Sequence, residues 1–214
     1  MRRKEMIEHL IYDFDGTIAD SYSLFFDFLK MIAKKRSITI PCDDTTLYRA
    51  LKTTGYDAYL TMDCADIISY ETFMDDFHLL QEEYRTSFQC FPNVEALLRD
   101  AIKAGKKNYL YTHTGPVVKD MLARMGILDC FTFVLDSSYG FPLKPAPDAL
   151  NYLAKHLALD PTTCLMIGDR PIDAHAGMNA GMYGCLWDDE NLFENAQVDY
   201  YVKDLDEIRG IVGF

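Results

Sequence analysis

Several features that would place a protein in a class at once are missing from this 214-residue chain. Its six cysteines (Cys42, Cys64, Cys90, Cys130, Cys164 and Cys185) include no Cys-x-x-Cys pair, so the spacing offers neither a zinc site nor a dithiol redox centre. Scattered thiols of this kind are expected to stay free in a reducing cytosol. No uninterrupted apolar run is long enough to span a membrane. The chain opens on Arg2, Arg3 and Lys4, but Glu5, Glu8, His9 and Asp13 interrupt the apolar stretch a secretory signal needs. Basic charge is also short, with 21 Lys+Arg against 33 Asp+Glu and a net charge of -12. No cationic excess is left to neutralise a nucleic-acid backbone. The expectation is a cytoplasmic protein with no nucleic-acid and no membrane partner, while its oligomeric state has no signal in the residues. One small anionic substrate stays open, because a metal ion and a few local cations can invert the field within a site.

What is present is the composition of a folded globular chain, 49% apolar and 25% charged, long enough for one substantial core and a small inserted lobe. The pattern divides the chain. After a first apolar strand, residues from about Asp20 to Gln89 contain no β segment. Asp20 can cap a helix through Phe25, Phe28, Leu29 and Ile32, with Lys34, Lys35 and Arg36 suited to its C-terminal dipole. Shorter helical pieces follow over 46–52 and 56–61, then a longer one through Ile67, Ile68, Phe73, Phe77, Leu80 and Tyr84. From Pro92 onward helices and strands alternate, with strands expected over 108–111, 131–135, 164–167, 184–187 and near 200–202. Repeated βα units imply a parallel sheet with helices on both faces. The expected architecture is an α/β, Rossmann-like doubly wound core over 1–18 plus 90–214, with an all-helical cap over 19–89.

The chemistry sits where strands stop. Leu10-Ile11-Tyr12 runs into Asp13-Phe14-Asp15-Gly16-Thr17. Two carboxylates two positions apart point the same way on extended backbone, so one can attack while the other moves protons, or both can hold a metal. An acidic turn is the plainer reading, since Asp-Gly is ordinary turn chemistry. A calcium loop fails, because glycine is fourth rather than sixth and the twelfth position is Leu24. Strand 108–111 leads into Thr112-His113-Thr114-Gly115, a hydroxyl and turn N–H groups able to grip anionic oxygens. His113 beside that turn reads as a structural donor more readily than as a base. Lys144, before Pro145 and Pro147, falls at the start of an expected helix. That is the wrong end of the dipole for a cation unless it reaches an anion. Strand 164–167 delivers Gly168-Asp169-Arg170-Pro171-Ile172-Asp173, either a good helix start or hard oxygen ligands for Mg²⁺.

Taken together, these four strand-end motifs resemble those of the haloacid dehalogenase superfamily, across about residues 6–18 and 90–214. The helical insert resembles the small cap of its phosphoglycolate phosphatase-like and β-phosphoglucomutase-like branch. The resemblance implies a Mg²⁺-dependent phosphatase with Asp13 as nucleophile and Asp15 as general acid and base. It implies phosphate contacts from Gly16, Thr112, His113 and Lys144, and metal binding by Asp13, the backbone carbonyl of Asp15, Asp169 and, in support, Asp173. A small phosphorylated metabolite is the implied partner, with Arg49 and Lys52 of the cap as candidates for its second anionic group. Two departures stand out: His113 where Asn frequently follows the Thr, and Arg170 where a small hydroxyl residue frequently follows the Asp. A phosphomutase of the same fold and a non-catalytic phosphometabolite-binding regulator are the alternatives. A dehalogenase would not call for an acid at position 15.

Overall fold

The computed structural model describes residues 6–214, so the basic opening Arg2-Arg3-Lys4 lies outside the described residues. Two compact units divide the chain, 20–89 and the remainder flanking it.

In the flanking unit, six parallel strands form one sheet: β1 (His9–Tyr12), β2 (Lys107–Tyr111), β3 (Phe131–Leu135), β4 (Cys164–Gly168), β5 (Tyr183–Trp187) and β6 (Tyr200–Val202). Their spatial order is β3-β2-β1-β4-β5-β6. The chain steps from β1 to β2 and β3 on one side, then returns to lay β4 against the other side of β1. This is a doubly wound α/β sheet, and its direction reverses between β1 and β4. Ligands of such sheets gather beyond the carboxyl ends at that reversal. Every residue of β4 and β5 is buried, which explains their unbroken apolar character: strands covered on both faces have no solvent side to alternate with. One of the covering helices is α7 (Asp148–Leu157), whose Ala149, Leu150 and Leu153 join Ile11, Tyr109 and Met166 in the core.

The 20–89 unit is helical throughout, built from α1 (Ser21–Arg36), α2 (Asp44–Thr53), α3 (Gly55–Thr61) and α4 (Tyr70–Glu83). Aromatic packing joins α1 to α4, with the Phe25 and Phe28 rings 5.2 and 5.7 Å from that of Phe77. Side-chain caps open the later helices: Asp43, Thr54 and Ser69 accept from the N–H groups of Thr46, Asp57 and Thr72. Two details differ from the sequence expectation. Asp20 precedes α1 but caps no backbone N–H; it takes the Ser23 hydroxyl at 2.8 Å instead. Ile67 and Ile68 do not begin α4, because their N–H groups close turns on the Cys64 carbonyl and Ser69 then supplies the cap.

The remaining helices are α5 (Val94–Lys103), α6 (Val118–Arg124), α8 (Pro171–Asn179) and α9 (Glu207–Val212). Where the flanking unit leaves and rejoins the chain, Ala19 pairs with Cys90, and the Phe91 N–H donates to the Ile18 carbonyl at 3.1 Å. Within the helical unit the Asp20 N–H likewise donates to the Gln89 carbonyl at 2.9 Å.

Candidate active site

The carboxyl end of β1 places Asp13 immediately beyond the sheet, with its N–H donating to the Ile167 carbonyl of β4. The chain then turns sharply. Thr17, Ile18 and Ala19 all donate to the Phe14 carbonyl, and Gly16 takes φ +75°, a conformation that costs glycine little. β4 ends beside β1 and delivers Asp169; Pro171 opens α8, which brings Asp173 back over the strand end. Asp173 stands at the third position of α8, and its Oδ2 accepts from the Arg170 N–H at 3.1 Å, closing the helix start. Its side chain passes directly above Gly168: a Cβ there would lie 2.2 Å from the Cβ of Asp173. Only glycine leaves room for this carboxylate.

Carboxylate oxygens of Asp13, Asp169 and Asp173 thus lie within 4.8 Å of one another, and all three residues are buried. Lys144 enters the same space, its Nζ 2.5 Å from Asp13 Oδ1, 2.9 Å from Asp173 Oδ1 and 3.0 Å from the Tyr111 carbonyl. Burial pushes the Asp13 carboxyl up, and Asp173 and Asp169 push the same way against Lys144. Burial acts to lower the Lys144 pKa, but Asp13 and Asp173 outweigh it and raise it, keeping the ammonium charged. Three buried acids around one ammonium leave an anionic excess of hard oxygen donors. That set matches a small divalent cation, whose charge would offset the burial and the repulsion that together push Asp13 upward.

The carboxylate of Asp15 stands apart from this cluster, accepting the Thr114 hydroxyl at 2.7 Å on Oδ2. β2 supplies the turn that carries Thr114. Thr112 is buried, its N–H donates to the Leu135 carbonyl, and its Oγ1 accepts the Thr114 N–H at 2.9 Å. Its hydroxyl proton is still there to donate. Lys144 is not in a helix: α7 starts four residues later, and the lysine precedes a cis peptide to Pro145. The Lys144 N–H donates to Nε2 of His113 at 3.1 Å, so that nitrogen carries no proton. Burial, assisted by Lys144, pushes the His113 pKa down to about 4. Arg49 and Lys52 both belong to α2 of the helical unit, Arg49 exposed and Lys52 buried with its Nζ 4.8 Å above the Tyr22 ring.

Other strand ends also carry acids, and the structure gives those another use. Asp188 after β5 accepts from the N–H groups of Leu192 and Phe193 and from the Tyr201 hydroxyl. Asp136 after β3 accepts the Ser138 N–H and hydroxyl. Both tie down loops. Thr114, Gly168 and the Tyr111 carbonyl are the site groups that sequence reasoning did not single out. For Thr114 a signal existed in the second hydroxyl of Thr-x-Thr-Gly; for Gly168 it lay in the glycine just ahead of the acid.

The family model described as haloacid dehalogenase-like hydrolase matches residues 10–186. A phosphoglycolate phosphatase of Vibrio vulnificus is 35% identical over 108 residues, 50% of this chain; the match spans just under half of that protein, 46%. An N-acetylmuramic acid 6-phosphate phosphatase of Pseudomonas putida is 24% identical over 198 residues, covering 85% of this chain and 86% of the relative. A hydrolase from Streptococcus pneumoniae TIGR4 superimposes with a TM-score of 0.68 at 25% identity, over 98% of this chain and all of that one.

Proposed function

We infer, because the chain belongs to the haloacid dehalogenase-like hydrolase family, that it is a Mg²⁺-dependent phosphatase acting on a small phosphate monoester. A phosphoglycolate-like or sugar phosphate is the substrate class. The observation that carries this reading is the meeting of Asp13, Asp169 and Asp173 with Lys144 at the reversal of the sheet. The names of the Vibrio and Pseudomonas relatives support it. A cytoplasmic place belongs to the same reading, on six free thiols.

The roles follow from the chemistry of each position. Asp13, Asp169 and Asp173 would hold Mg²⁺, together with the backbone carbonyl of Asp15. When bound, the ion would neutralise charge on the carboxylates and on the phosphoryl oxygens. An Asp13 oxygen attacks phosphorus; the new P–O bond makes an aspartyl-phosphate as the ester P–O bond breaks, and Asp15 gives its proton to the leaving oxygen. Asp15 then takes a proton from water, the water oxygen attacks phosphorus, and the Asp13 carboxylate and phosphate are released. Two acids assigned opposite duties by different surroundings is a recurring arrangement. The Thr112 hydroxyl and the Lys144 ammonium would stabilise the transferring oxygens. His113 serves that lysine through its main chain. Gly16 lets the chain turn at the strand end, and Arg49 and Lys52 of α2 are the candidates for a second anionic group of the substrate.

Hydrolysis of 4-nitrophenyl phosphate tests the proposal. Turnover is expected with Mg²⁺, to vanish in EDTA and return on adding Mg²⁺, and to fall at least about 10³-fold for Asp13→Asn. Turnover without metal, or an active Asp13→Asn, overturns the mechanism. Phosphate transfer from a bisphosphorylated sugar without phosphate release would make the protein a mutase instead, and binding without turnover a regulator.

A further inference from the structure

We propose that Thr114 is a positioning residue for Asp15, fixing the carboxylate in the orientation from which it serves the leaving group. The proposal rests on the phosphatase reading above. Asp15 follows Asp13 by two residues, and on extended backbone its side chain would turn toward the same space as Asp13. A fourth carboxylate there would deepen the anionic excess of Asp13, Asp169 and Asp173 and leave no acid beside the leaving oxygen. The structure shows a different outcome. Asp15 is only partly buried, outside the three-acid cluster, and its Oδ2 accepts the Thr114 hydroxyl at 2.7 Å across 99 residues of sequence.

That hydroxyl is itself held in place. The Thr114 N–H donates to Thr112 Oγ1 at 2.9 Å, and its carbonyl accepts the Ser137 N–H at 3.1 Å. The first bond ties it to the end of β2, the second to the residues that follow β3. A donor anchored to two strands therefore aims the side chain that leaves a third. A hydroxyl can donate to a carboxylate and accept from a carboxylic acid, so one contact guides Asp15 through both half-reactions. Misplacement of a reacting group by about 1 Å can cost about 10²-fold in rate, the scale on which this bond should act.

The test uses the full chain with Mg²⁺ and two substrates that differ in their need for a proton. The nitrophenolate of 4-nitrophenyl phosphate departs without help, whereas the alkoxide of glycerol 2-phosphate does not. The ratio kcat/KM reports the steps up to aspartyl-phosphate formation, so the later water step does not enter. Thr114→Val is expected to lower kcat/KM about 10- to 100-fold on the alkyl ester and less than about 3-fold on the aryl ester, within the about 10²–10⁴-fold that general acids supply. Asp15→Asn should show the same substrate pattern more strongly, and Thr114→Ser should restore the alkyl ester rate to within about 3-fold. Equal losses on both esters, or none on the alkyl ester, overturn the role of Thr114 while leaving the phosphatase reading intact. A wild-type chain without EDTA-sensitive turnover removes both.

Discussion

His113 shows how a residue can depart from the family's usual choice and still keep its neighbours in order. Its Nε2 must be bare to accept the Lys144 N–H, and burial pushes its pKa from 6.5 down to about 4. The unfolded chain therefore binds more protons than the native protein between these two values. Stability rises with pH across that window, and the contribution of His113 is lost as pH falls from 6.5 toward 4. Urea denaturation at pH 7 and pH 5 reads this directly. His113→Gln keeps an acceptor but cannot titrate, so its midpoint should fall less than that of wild type on acidification. Asp13 and the other acids are common to both proteins, and their titration cancels in the comparison. An equal fall in both would mean that His113 is not held neutral.

At the same scale, legibility in the sequence had a physical limit. Asp13, Thr112 and Asp169 each follow a buried apolar strand directly, and the carboxyl ends of parallel strands share one edge. Their convergence could therefore be read from the order of strands alone. Thr114 and Gly168 are different. One matters through a partner 99 residues away, the other through a side chain that returns over it from α8. Neither relation has a period or a spacing.

Elements show the same division. Strands β4 and β5 were legible because burial on both faces leaves continuous apolar runs, and the less covered β3 still matches its expected limits residue for residue. Helix starts were less so, since a cap is a hydrogen bond rather than a composition: Asp20 chose Ser23, and Ser69 rather than the Ile67-Ile68 pair opens α4. The α1–α4 pair in the helical unit adds a device that no amphipathic pattern reveals. Asp76 of α4 is 4% exposed and takes Lys35 at 2.7 Å and Arg36 at 2.7 and 3.2 Å from the last turn of α1. The Arg36 guanidinium, joined by Lys35, holds its pKa below the usual carboxylate range against burial, which pushes it up. Removing one partner of a fully buried pair costs about 3–5 kcal/mol. Here both cations reach solvent, so Asp76→Ala is expected to cost about 1–2 kcal/mol. Chemical denaturation monitored by far-UV circular dichroism checks this. A change below about 0.5 kcal/mol would show that the aromatic packing of Phe25, Phe28 and Phe77 joins the two helices unaided.

For the whole molecule, the division into two units has a simple boundary. The chain leaves the α/β unit at Ala19 and returns at Cys90, and these two residues pair with each other. Every strand, and each of Asp13, Asp15, Thr112, Lys144, Asp169 and Asp173, belongs to the α/β unit. Replacing residues 20–89 by a short Asn-Gly turn is therefore expected to leave a folded sheet protein with a cooperative thermal transition and bound Mg²⁺ detectable by calorimetry. Loss of the transition would show that the sheet depends on the helical unit for its stability.

The paired peptides at 19 and 90 give the insertion a consequence of their own. Opening or lengthening a loop between ends that already touch costs little more than the logarithm of its length. Along the chain, the excursion begins and ends at one paired position, whatever it contains. The two parts can then be inherited separately: the strand ends keep Asp13, Asp15, Thr112, Lys144, Asp169 and Asp173 on one scaffold, while the segment hung between two paired residues is free to diverge, exchange or be grafted.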